Sequence, residues 1–366
     1  MTITGQEGGR KAGQLAAEHG LADADLLAMY RTMALARALD ERMWVLNRSG
    51  RAPFVISGQG HEGAQVGIAW PLRRDHDWVA PFYRSIATCL VVGMTPRDVM
   101  LAQFARASDP SSGGRQMPGH YGHSGHHVVS VSSPVATQIL HAVGIALASR
   151  IRGLDQVAMA IMGEGSSNQG DVHEALNFAA IHKLPMVLVI ENNGYAISVP
   201  SEKELSVRDV ADRASGSGIP GVVVDGTDVL ASYAAAREAV DRARRGDGPT
   251  LIEAKVTRLT GHSSDDQQSK YRSASELAEG LTRDPLPIFR SRLREAGVLD
   301  EAVEAAIAAE VSAEVEDATA FAEAAPDPEP ISALDHVFGD ATAGEPPPPW
   351  HPTASVRAGA EGGMGE

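Results

Sequence analysis

Cysteine, basic charge and long apolar runs are all scarce in this chain of 366 residues. The single cysteine, Cys89, excludes an internal disulfide framework and fits a reducing compartment. Lys and Arg total 32 against 47 Asp and Glu, and the formal net charge of -15 argues against a nucleic-acid partner. No apolar run is long enough to span a bilayer, so no membrane partner is predicted. Because residues 1–20 also lack the apolar core of a secretory signal, we expect a cytoplasmic protein.

What the chain does contain is a pair of apolar runs that each end in polar residues. Residues 157–162 are followed by GEG at residues 163–165, and residues 186–190 are followed by ENN at residues 191–193. The segment between the two runs has a helical pattern. The arrangement predicts a βαβ unit whose parallel strands are buried on both faces. The predicted fold class is therefore α/β, with a mostly parallel, doubly wound sheet flanked by helices.

The residues that follow these two strands suit an anion and a hard cation. Gly163 and Gly165 let the backbone approach a phosphate without an intervening Cβ atom, and the N-terminus of the next helix attracts anions. Glu164 and Asn193 offer one charged and one neutral oxygen ligand, a pair that suits Mg²⁺. Open parallel sheets bind ligands at the carboxyl ends of their strands. The alternative is a doubly wound domain with ordinary turn residues at these positions.

Two further pairs are candidate site residues. Tyr83 and Arg84 come at the end of a short apolar stretch, where a guanidinium would suit phosphate oxygens. A surface salt bridge is an equally good interpretation of Arg84 from this segment alone. His61 and Glu62 follow a glycine-rich passage into a helix, and we interpret them as a polar pair at a helix start rather than as a catalytic pair.

Two loops and one helix start complete the candidate regions. Residues 113–133 are glycine-rich and contain four histidines, but their spacing fits no closed zinc site, so we predict a mobile loop over an active site. Residues 261–273 are polar without periodicity and are also predicted to form a loop. Two roles fit the polar residues at the start of the helix predicted over residues 134–150. They cap this helix only, or they are ligands for a cation and a cofactor. These polar residues are Ser132, Ser133, Thr137 and Gln138.

Three regions are predicted along the chain. Residues 1–20 form a polar, mobile N-terminal arm. Residues 21–325 form the α/β domain, which includes a charged helical extension from about residue 284. Residues 326–366 form a proline- and glycine-rich tail that is extended, disordered or paired with a partner.

Several sequence segments occur in one order along the chain. They are FYR, GRQMPGHYG, SSPVATQI, GEG, ENNGYAIS, VDGTDV, GHSSDD and YRS. Together they resemble the alpha subunit of the thiamin-dependent first component of 2-oxo acid dehydrogenase complexes, and RQMPGHYG, SSPVATQI and NNGYAIS are most similar to the branched-chain 2-oxo acid member. The resemblance implies a thiamin-diphosphate-binding fold, thiamin diphosphate and Mg²⁺ as cofactors, and an enzyme that decarboxylates a 2-oxo acid and passes the acyl unit to a lipoyl group.

The resemblance also implies roles for individual residues. Glu164, Asn193 and the Tyr195 carbonyl are the implied Mg²⁺ ligands. His262 resembles the loop histidine beside the reacting carbon, and the Val135 carbonyl resembles a contact to the aminopyrimidine. The cofactor contacts implied in this way are Tyr83 and Arg84 at the diphosphate, together with Ser133, Val135, Gly163, Glu164, Gly165, Ser166, Asn193, Tyr195, Ile197 and His262.

Other positions match the family pattern with departures. Phe82 lies where branched-chain relatives can carry a polar residue, so the sequence does not define the substrate pocket. GHSSDD is spaced differently from the usual GHS-x-SD. Ser263 matches a serine that is phosphorylated in mitochondrial relatives, although nothing in the sequence shows that a kinase acts on it. The residues that resemble a structural potassium site are Ser132, Pro134, Thr137 and Gln138.

The resemblance implies protein partners as well. A separate beta subunit would complete an α₂β₂ heterotetramer and bring the carboxylate that the aminopyrimidine needs, and a lipoyl-bearing acyltransferase would dock on the same assembly. The alternative within the enzyme class is a pyruvate or acetoin dehydrogenase alpha subunit. The alternative outside it is a nucleotide-binding regulatory module that uses the same edge of the sheet.

Overall fold

The structure, a computed structural model, describes residues 13–335. The chain divides into two units, Met1–Asp327 and Pro328–Glu366. Within the described part of the second unit lies one 3₁₀ turn, Pro330–Leu334. Most of the predicted arm and most of the predicted tail, residues 1–12 and 336–366, lie outside the described residues.

A parallel sheet of five strands is the centre of the first unit, and its spatial order is β1-β2-β3-β7-β6. A separate antiparallel ribbon, β4 with β5, follows β3 directly. In the register of β2 with β3, Gly163 lies beside Glu191, so the two strands end at the same edge. The prediction of an α/β fold with a mostly parallel sheet is confirmed. The strands are β1 (Trp78–Ala80), β2 (Ala158–Gly163), β3 (Met186–Asn192), β4 (Tyr195–Ala196), β5 (Val199–Pro200), β6 (Gly221–Asp225) and β7 (Thr250–Lys255).

Helices cover both faces of the sheet because the side chains of each strand alternate. In β2, Met159 and Ile161 enter a core shared with α2, α3 and α8, whereas Ala160 and Met162 enter a second core shared with α6 and α7. The helices are α1 (Gln14–Glu18), α2 (Asp23–Arg48), α3 (Glu62–Ala69), α4 (Ile86–Val92), α5 (Pro96–Gln103), α6 (Thr137–Ile151), α7 (Gly170–Ile181), α8 (Val229–Arg244), α9 (Ala274–Thr282), α10 (Pro285–Glu295) and α11 (Glu301–Ala324).

Two further observations concern the thiol of α4 and the length and polarity of the described helices. Cys89 of α4 is fully buried, and burial raises the pKa of its thiol. Within residues 13–335, none of the helices combines the length and the apolar character that crossing a bilayer requires.

The structure differs from the sequence-based expectations in three helical regions. The helix predicted over residues 134–150 begins only at Thr137, because Ala136 has φ 72° and so interrupts the helical backbone after Pro134. The helical extension from residue 284 is two helices, α10 and α11, separated at Gly297 with φ 70°. Residues 13–20 of the predicted arm contain α1, whose Leu15 side chain is fully buried in the core. The mobility of the arm stays a prediction.

Candidate active site

A cavity of about 350 Å³ opens at the edge where β2 and β3 end. Every residue for which the sequence implied a cofactor contact lines it, and so does Phe82. Ala196, on β4, is a lining residue that the sequence did not single out. The lining residues are Phe82, Tyr83, Arg84, Ser133, Val135, Gly163, Glu164, Gly165, Ser166, Asn193, Tyr195, Ala196, Ile197 and His262.

Glu164 directly follows β2, and its side chain is 1% exposed. The Oε2 atom accepts a hydrogen bond from the backbone N–H of Asn193 at 3.2 Å, whereas no residue of the described chain donates to the buried Oε1 atom. Burial raises the pKa of this carboxyl, and the backbone N–H groups around it oppose the shift. A buried acceptor without a donor is costly, and a cation in the cavity would satisfy it.

The turn after β3 and the segment after β2 approach each other closely. The Oδ1 atom of Asn193 accepts from the backbone N–H of Tyr195 at 3.3 Å. A Cβ atom at Gly165 would lie 2.7 Å from the Cβ of Ala196, which is closer than such atoms can approach. Position 165 therefore accommodates only a residue without a side chain, because Ala196 packs against its backbone.

No group of three or more His, Cys, Asp or Glu side chains in residues 13–335 is arranged to hold a metal ion. A cation beside Glu164 would therefore need amide, carbonyl or ligand oxygens for its remaining positions, which is the usual way that Mg²⁺ is bound together with phosphates. The histidines of the glycine-rich loop are used elsewhere: His120 Nε2 lies 2.8 Å from Ser133 Oγ, and His126 Nδ1 lies 2.7 Å from Asp75.

Arg84 is buried, 2% exposed, and holds His262 in place. Its Nη1 donates to the Ser57 carbonyl at 2.8 Å, and its Nη2 donates both to His262 Nδ1 at 2.8 Å and to the His262 carbonyl at 2.9 Å. In the described part of the chain Arg84 forms no ion pair, so the surface salt bridge is not what the structure shows. Because Nδ1 accepts, a neutral His262 carries its proton on Nε2.

The electrostatic surroundings keep His262 neutral. Burial, with the positive charges of Arg84 and Arg258, lowers the pKa of His262 to about 4, against the opposing charge of Asp266. In this cavity the imidazole is therefore a neutral hydrogen-bonding group near pH 7 rather than a cation.

A hydrogen-bond network orders the loop over residues 261–273. The backbone N–H of His262 donates to Asp266 at 2.6 Å, and the Tyr271 hydroxyl donates to the same carboxylate. Arg258 donates to the Tyr271 hydroxyl at 2.6 Å and to the Ile197 carbonyl at 2.9 Å. Ile197 has φ 58°, a left-handed conformation that is costly for a β-branched residue and is typical of functional sites.

Glu204 is a second carboxylate near the cavity that the sequence analysis missed. Its Oε2 atom lies 3.2 Å from the position of a Cβ at Gly165, and its buried Oε1 has no donor among residues 13–335. Burial and the negative charge of Glu164 raise the pKa of Glu204 to about 7. No sequence signal marks it, because it follows a short 3₁₀ turn, Ser201–Lys203, in a segment without periodicity.

The residues that resemble a potassium site make contacts within their own segment or with the sheet. Ser132 Oγ donates to the Pro134 carbonyl at 2.9 Å, but Gln138 is buried against β2 and donates to the Ile161 carbonyl at 3.0 Å. Thr137 is the first residue of α6. The N-cap residue of α6 is Ala136 and no side chain caps this helix, so capping is not the role of these residues in the structure. The potassium site stays a prediction.

The remaining candidates have defined structural positions. His61 precedes α3 and Glu62 is its first residue, so the interpretation of a polar pair at a helix start is confirmed in position. Their partners differ, since His61 Nδ1 lies 2.6 Å from Glu191 and Glu62 accepts from Arg37 at 2.6 Å. Ser263 is buried within the loop that carries His262.

The fold and the cavity define an α/β protein with a cavity at the carboxyl edge of a parallel sheet, the place where such folds bind ligands. Residues 30–331 match the family described as the dehydrogenase E1 component. The match covers most of the chain, and the protein belongs to this family of enzymes.

Curated relatives agree with the family assignment. The chain is 54% identical over 319 residues to the 2-oxoisovalerate dehydrogenase subunit alpha of Bacillus subtilis (strain 168), across 87% of this chain and 97% of that protein. It is 40% identical to the 3-methyl-2-oxobutanoate dehydrogenase subunit alpha of Mycobacterium tuberculosis (strain ATCC 25618 / H37Rv), across 77% and 74% of the two chains. It is 37% identical to the pyruvate dehydrogenase E1 component subunit alpha of Staphylococcus aureus (strain N315), across 77% and 73%. The resemblance inferred from the motifs, including the likeness to the branched-chain member, is confirmed.

Proposed function

We propose that this chain is the alpha subunit of an enzyme that decarboxylates branched-chain 2-oxo acids and transfers the acyl unit to a lipoyl group. The observation that carries the proposal is the buried Glu164 Oε1 atom without a donor, at a cavity also lined by Asn193 and by the backbone of Gly163 and Gly165. That donor set suits Mg²⁺ and a diphosphate. The identity of 54% to a protein named for 2-oxoisovalerate supports the branched-chain assignment.

The same residues would hold the cofactor, thiamin diphosphate with Mg²⁺, in a thiamin-diphosphate-binding fold. Glu164, the Asn193 amide and the Tyr195 carbonyl would bind the metal. Tyr83 and Arg84 would lie at the diphosphate, and Ser133 and Val135 at the thiamin. When bound, the cofactor supplies the electron sink for decarboxylation, whereas the protein supplies binding and orientation. The remaining proposed contacts are Gly163, Gly165, Ser166, Ile197 and His262.

His262 is the proposed catalytic residue of this chain. Its Nδ1 atom accepts from Arg84 at 2.8 Å, which leaves the Nε2–H group free to donate within the cavity. With its pKa lowered to about 4, the ring adds no positive charge near pH 7. The role that follows is to orient the substrate or the lipoyl arm by a hydrogen bond from the Nε2–H group.

Substrate selection would involve the apolar part of the cavity. Phe82 is buried, and Val135 and Ile197 are apolar lining residues. An additional methylene in such a pocket is worth about 1–3 kcal/mol in transition-state binding. A branched oxo acid therefore gains more from this lining than pyruvate does.

Substrate preference is the test of this proposal. In the assembly with its beta chain and a lipoyl-bearing acyltransferase, we expect kcat/KM for 3-methyl-2-oxobutanoate to exceed that for pyruvate at least about tenfold, which is about 1.4 kcal/mol. Stopped assays of carbon dioxide release measure it on pyruvate and three branched oxo acids. Acetoin has no carboxylate to lose, so its cleavage is followed by release of acetaldehyde. A larger kcat/KM for pyruvate would favour the second candidate function, that of a pyruvate dehydrogenase alpha subunit. The observation that supports this candidate is the 37% identity to the Staphylococcus aureus relative of that name.

Removal of one metal ligand tests the cofactor site directly. In the same assembly, Asn193→Ala should weaken Mg²⁺ binding in the presence of thiamin diphosphate at least about tenfold, because a hard neutral ligand is lost. Isothermal titration calorimetry measures the change. Asn177→Ala, at an exposed position of α7, is the matched control and should leave the dissociation constant unchanged. Equal affinity in Asn193→Ala and wild type would contradict the metal assignment.

A further inference from the structure

Glu253 is an acidic residue in the interior of the sheet. It lies in β7, where it is opposite Ile190 of β3, and its exposure is 0%. It does not line the cavity. A fully buried carboxylate is costly unless donors satisfy both of its oxygens, so its partners show what it stabilises.

Three donors satisfy the carboxylate. Its Oε1 atom accepts from the Asn192 amide Nδ2 at 2.7 Å and from Lys255 Nζ at 2.5 Å, and its Oε2 atom accepts from the backbone N–H of Ala211 at 2.8 Å. Lys255 also pairs with Asp209 at 2.9 Å. Glu253 therefore ties the end of β3 to the 3₁₀ helix Val210–Ser217 and to its own strand.

The Asn192 amide uses both of its ends. While Nδ2 donates to Glu253, the Oδ1 atom accepts from the backbone N–H of Gly194 at 3.0 Å. Asn193 lies between these two anchored positions, and its own backbone N–H donates to Glu164. The turn that presents Asn193 is thus held on one side by Glu164 and on the other by the Asn192–Glu253 pair.

We propose that Glu253 and Asn192 are positioning residues that fix the turn carrying the Asn193 side chain and the Tyr195 carbonyl in the geometry needed for the metal. The inference rests on the proposed function, since it concerns the same Mg²⁺ site. The chemistry requires an amide at position 192, because this side chain must donate to a carboxylate and accept from an N–H at once. An aspartate of the same shape keeps the acceptor and loses the donor.

A charge-matched pair of substitutions tests the inference. Asn192→Asp places a carboxylate oxygen against Glu253 and should weaken Mg²⁺ binding at least tenfold in the presence of fixed thiamin diphosphate. The double variant Asn192→Asp with Glu253→Gln restores a donor opposite an acceptor, now in the reverse direction, while Lys255 gives up Glu253 Oε1 and keeps Asp209 as its partner. It should return the dissociation constant to within about threefold of wild type. Calorimetry on the assembled enzyme measures the constant, and circular dichroism shows that each variant is folded.

Two controls separate positioning from damage to the fold. Asp209→Asn breaks the other ion pair of Lys255 but leaves the Asn192–Glu253 contact, so Mg²⁺ affinity should stay within twofold of wild type. If Asn192→Asp does not fold, Mg²⁺ binding by the double variant is compared with Mg²⁺ binding by Glu253→Gln alone. The positioning role predicts that the double variant binds Mg²⁺ at least threefold more tightly.

Failure of the positioning role and failure of the proposed function give different results. Wild-type assembly that binds no Mg²⁺ with thiamin diphosphate would refute the proposed function itself. Wild-type binding with an unchanged constant in Asn192→Asp would overturn the positioning role. So would weakened binding in Asn192→Asp that the added Glu253→Gln does not recover, because the loss would then not arise from this contact.

Discussion

Purified alone, this chain is expected to show no cofactor-dependent release of carbon dioxide from a 2-oxo acid, whereas the same chain co-expressed with its beta chain should be active. The physical reason is the composition of the cavity. Its lining contains one carboxylate, Glu164, which the metal would use. A second carboxylate is needed to stabilise the protonated aminopyrimidine, and none of the other lining residues is acidic. Glu204 lies beside Gly165 but does not line the cavity, and its pKa is raised to about 7.

The described residues also offer no second half for such a site. Beyond β7, residues 256–335 contain the helices α9, α10 and α11 with short turns and no strand. Turnover and the mass of the assembly are measured for the alpha chain with and without the beta chain. A tetramer of the α₂β₂ type is the expected active form. Full turnover by alpha chain that mass spectrometry shows to be free of beta would refute the requirement.

A negative charge at Ser263 is expected to abolish most turnover in that assembly. Ser263 is 7% exposed and adjoins His262, whose Nδ1 and carbonyl both accept from Arg84. A carboxylate there would be buried with one weak backbone donor, the Asp265 N–H that lies 3.4 Å from Ser263 Oγ. Relief of this burial would displace the loop that carries His262. The added charge would also repel the nearby Asp265 and Asp266 and an anionic substrate. Displacement of a positioning group by about 1 Å costs about 10²-fold in rate.

The comparison of Ser263→Glu with Ser269→Glu measures this effect. Ser269 lies in the same loop but is exposed, so its substitution adds the same charge without entering the buried contacts and should leave kcat within twofold. Ser263→Ala distinguishes charge from loss of the hydroxyl and should retain activity. Near-normal turnover in Ser263→Glu would contradict the expected role of the loop, and the comparison does not depend on whether a kinase modifies this serine.

Sequence alone identified the parts of the site whose signal is local. Residues 157–162 and 186–190 are apolar because β2 and β3 are buried on both faces, and the glycines and polar residues after them are needed at the ends of those strands. The motif residues therefore predicted the lining of the cavity well. The remaining lining residue, Ala196, has no chemical signature of its own.

What the sequence could not provide are contacts between distant segments. Arg84 and His262 are 178 residues apart, and Asn192 and Glu253 are 61 apart. Neither pair has a periodic pattern, because each forms only when the strands and loops have packed. The start of α6 was missed for a similar reason: Ala136 takes a left-handed backbone that nothing in an alanine predicts, and its side chain is fully buried in the core.

The burial of Cys89 gives the enzyme a practical property. The thiol is the only one in the chain and is fully buried, with its pKa raised, so at neutral pH it is a poor nucleophile toward maleimides. The native protein is therefore an unreactive background for site-specific labelling. A cysteine introduced at the exposed position of Ser269 would be the one thiol available to a fluorophore or spin label, and would report the movement of the loop beside His262 without removal of any native residue from the core.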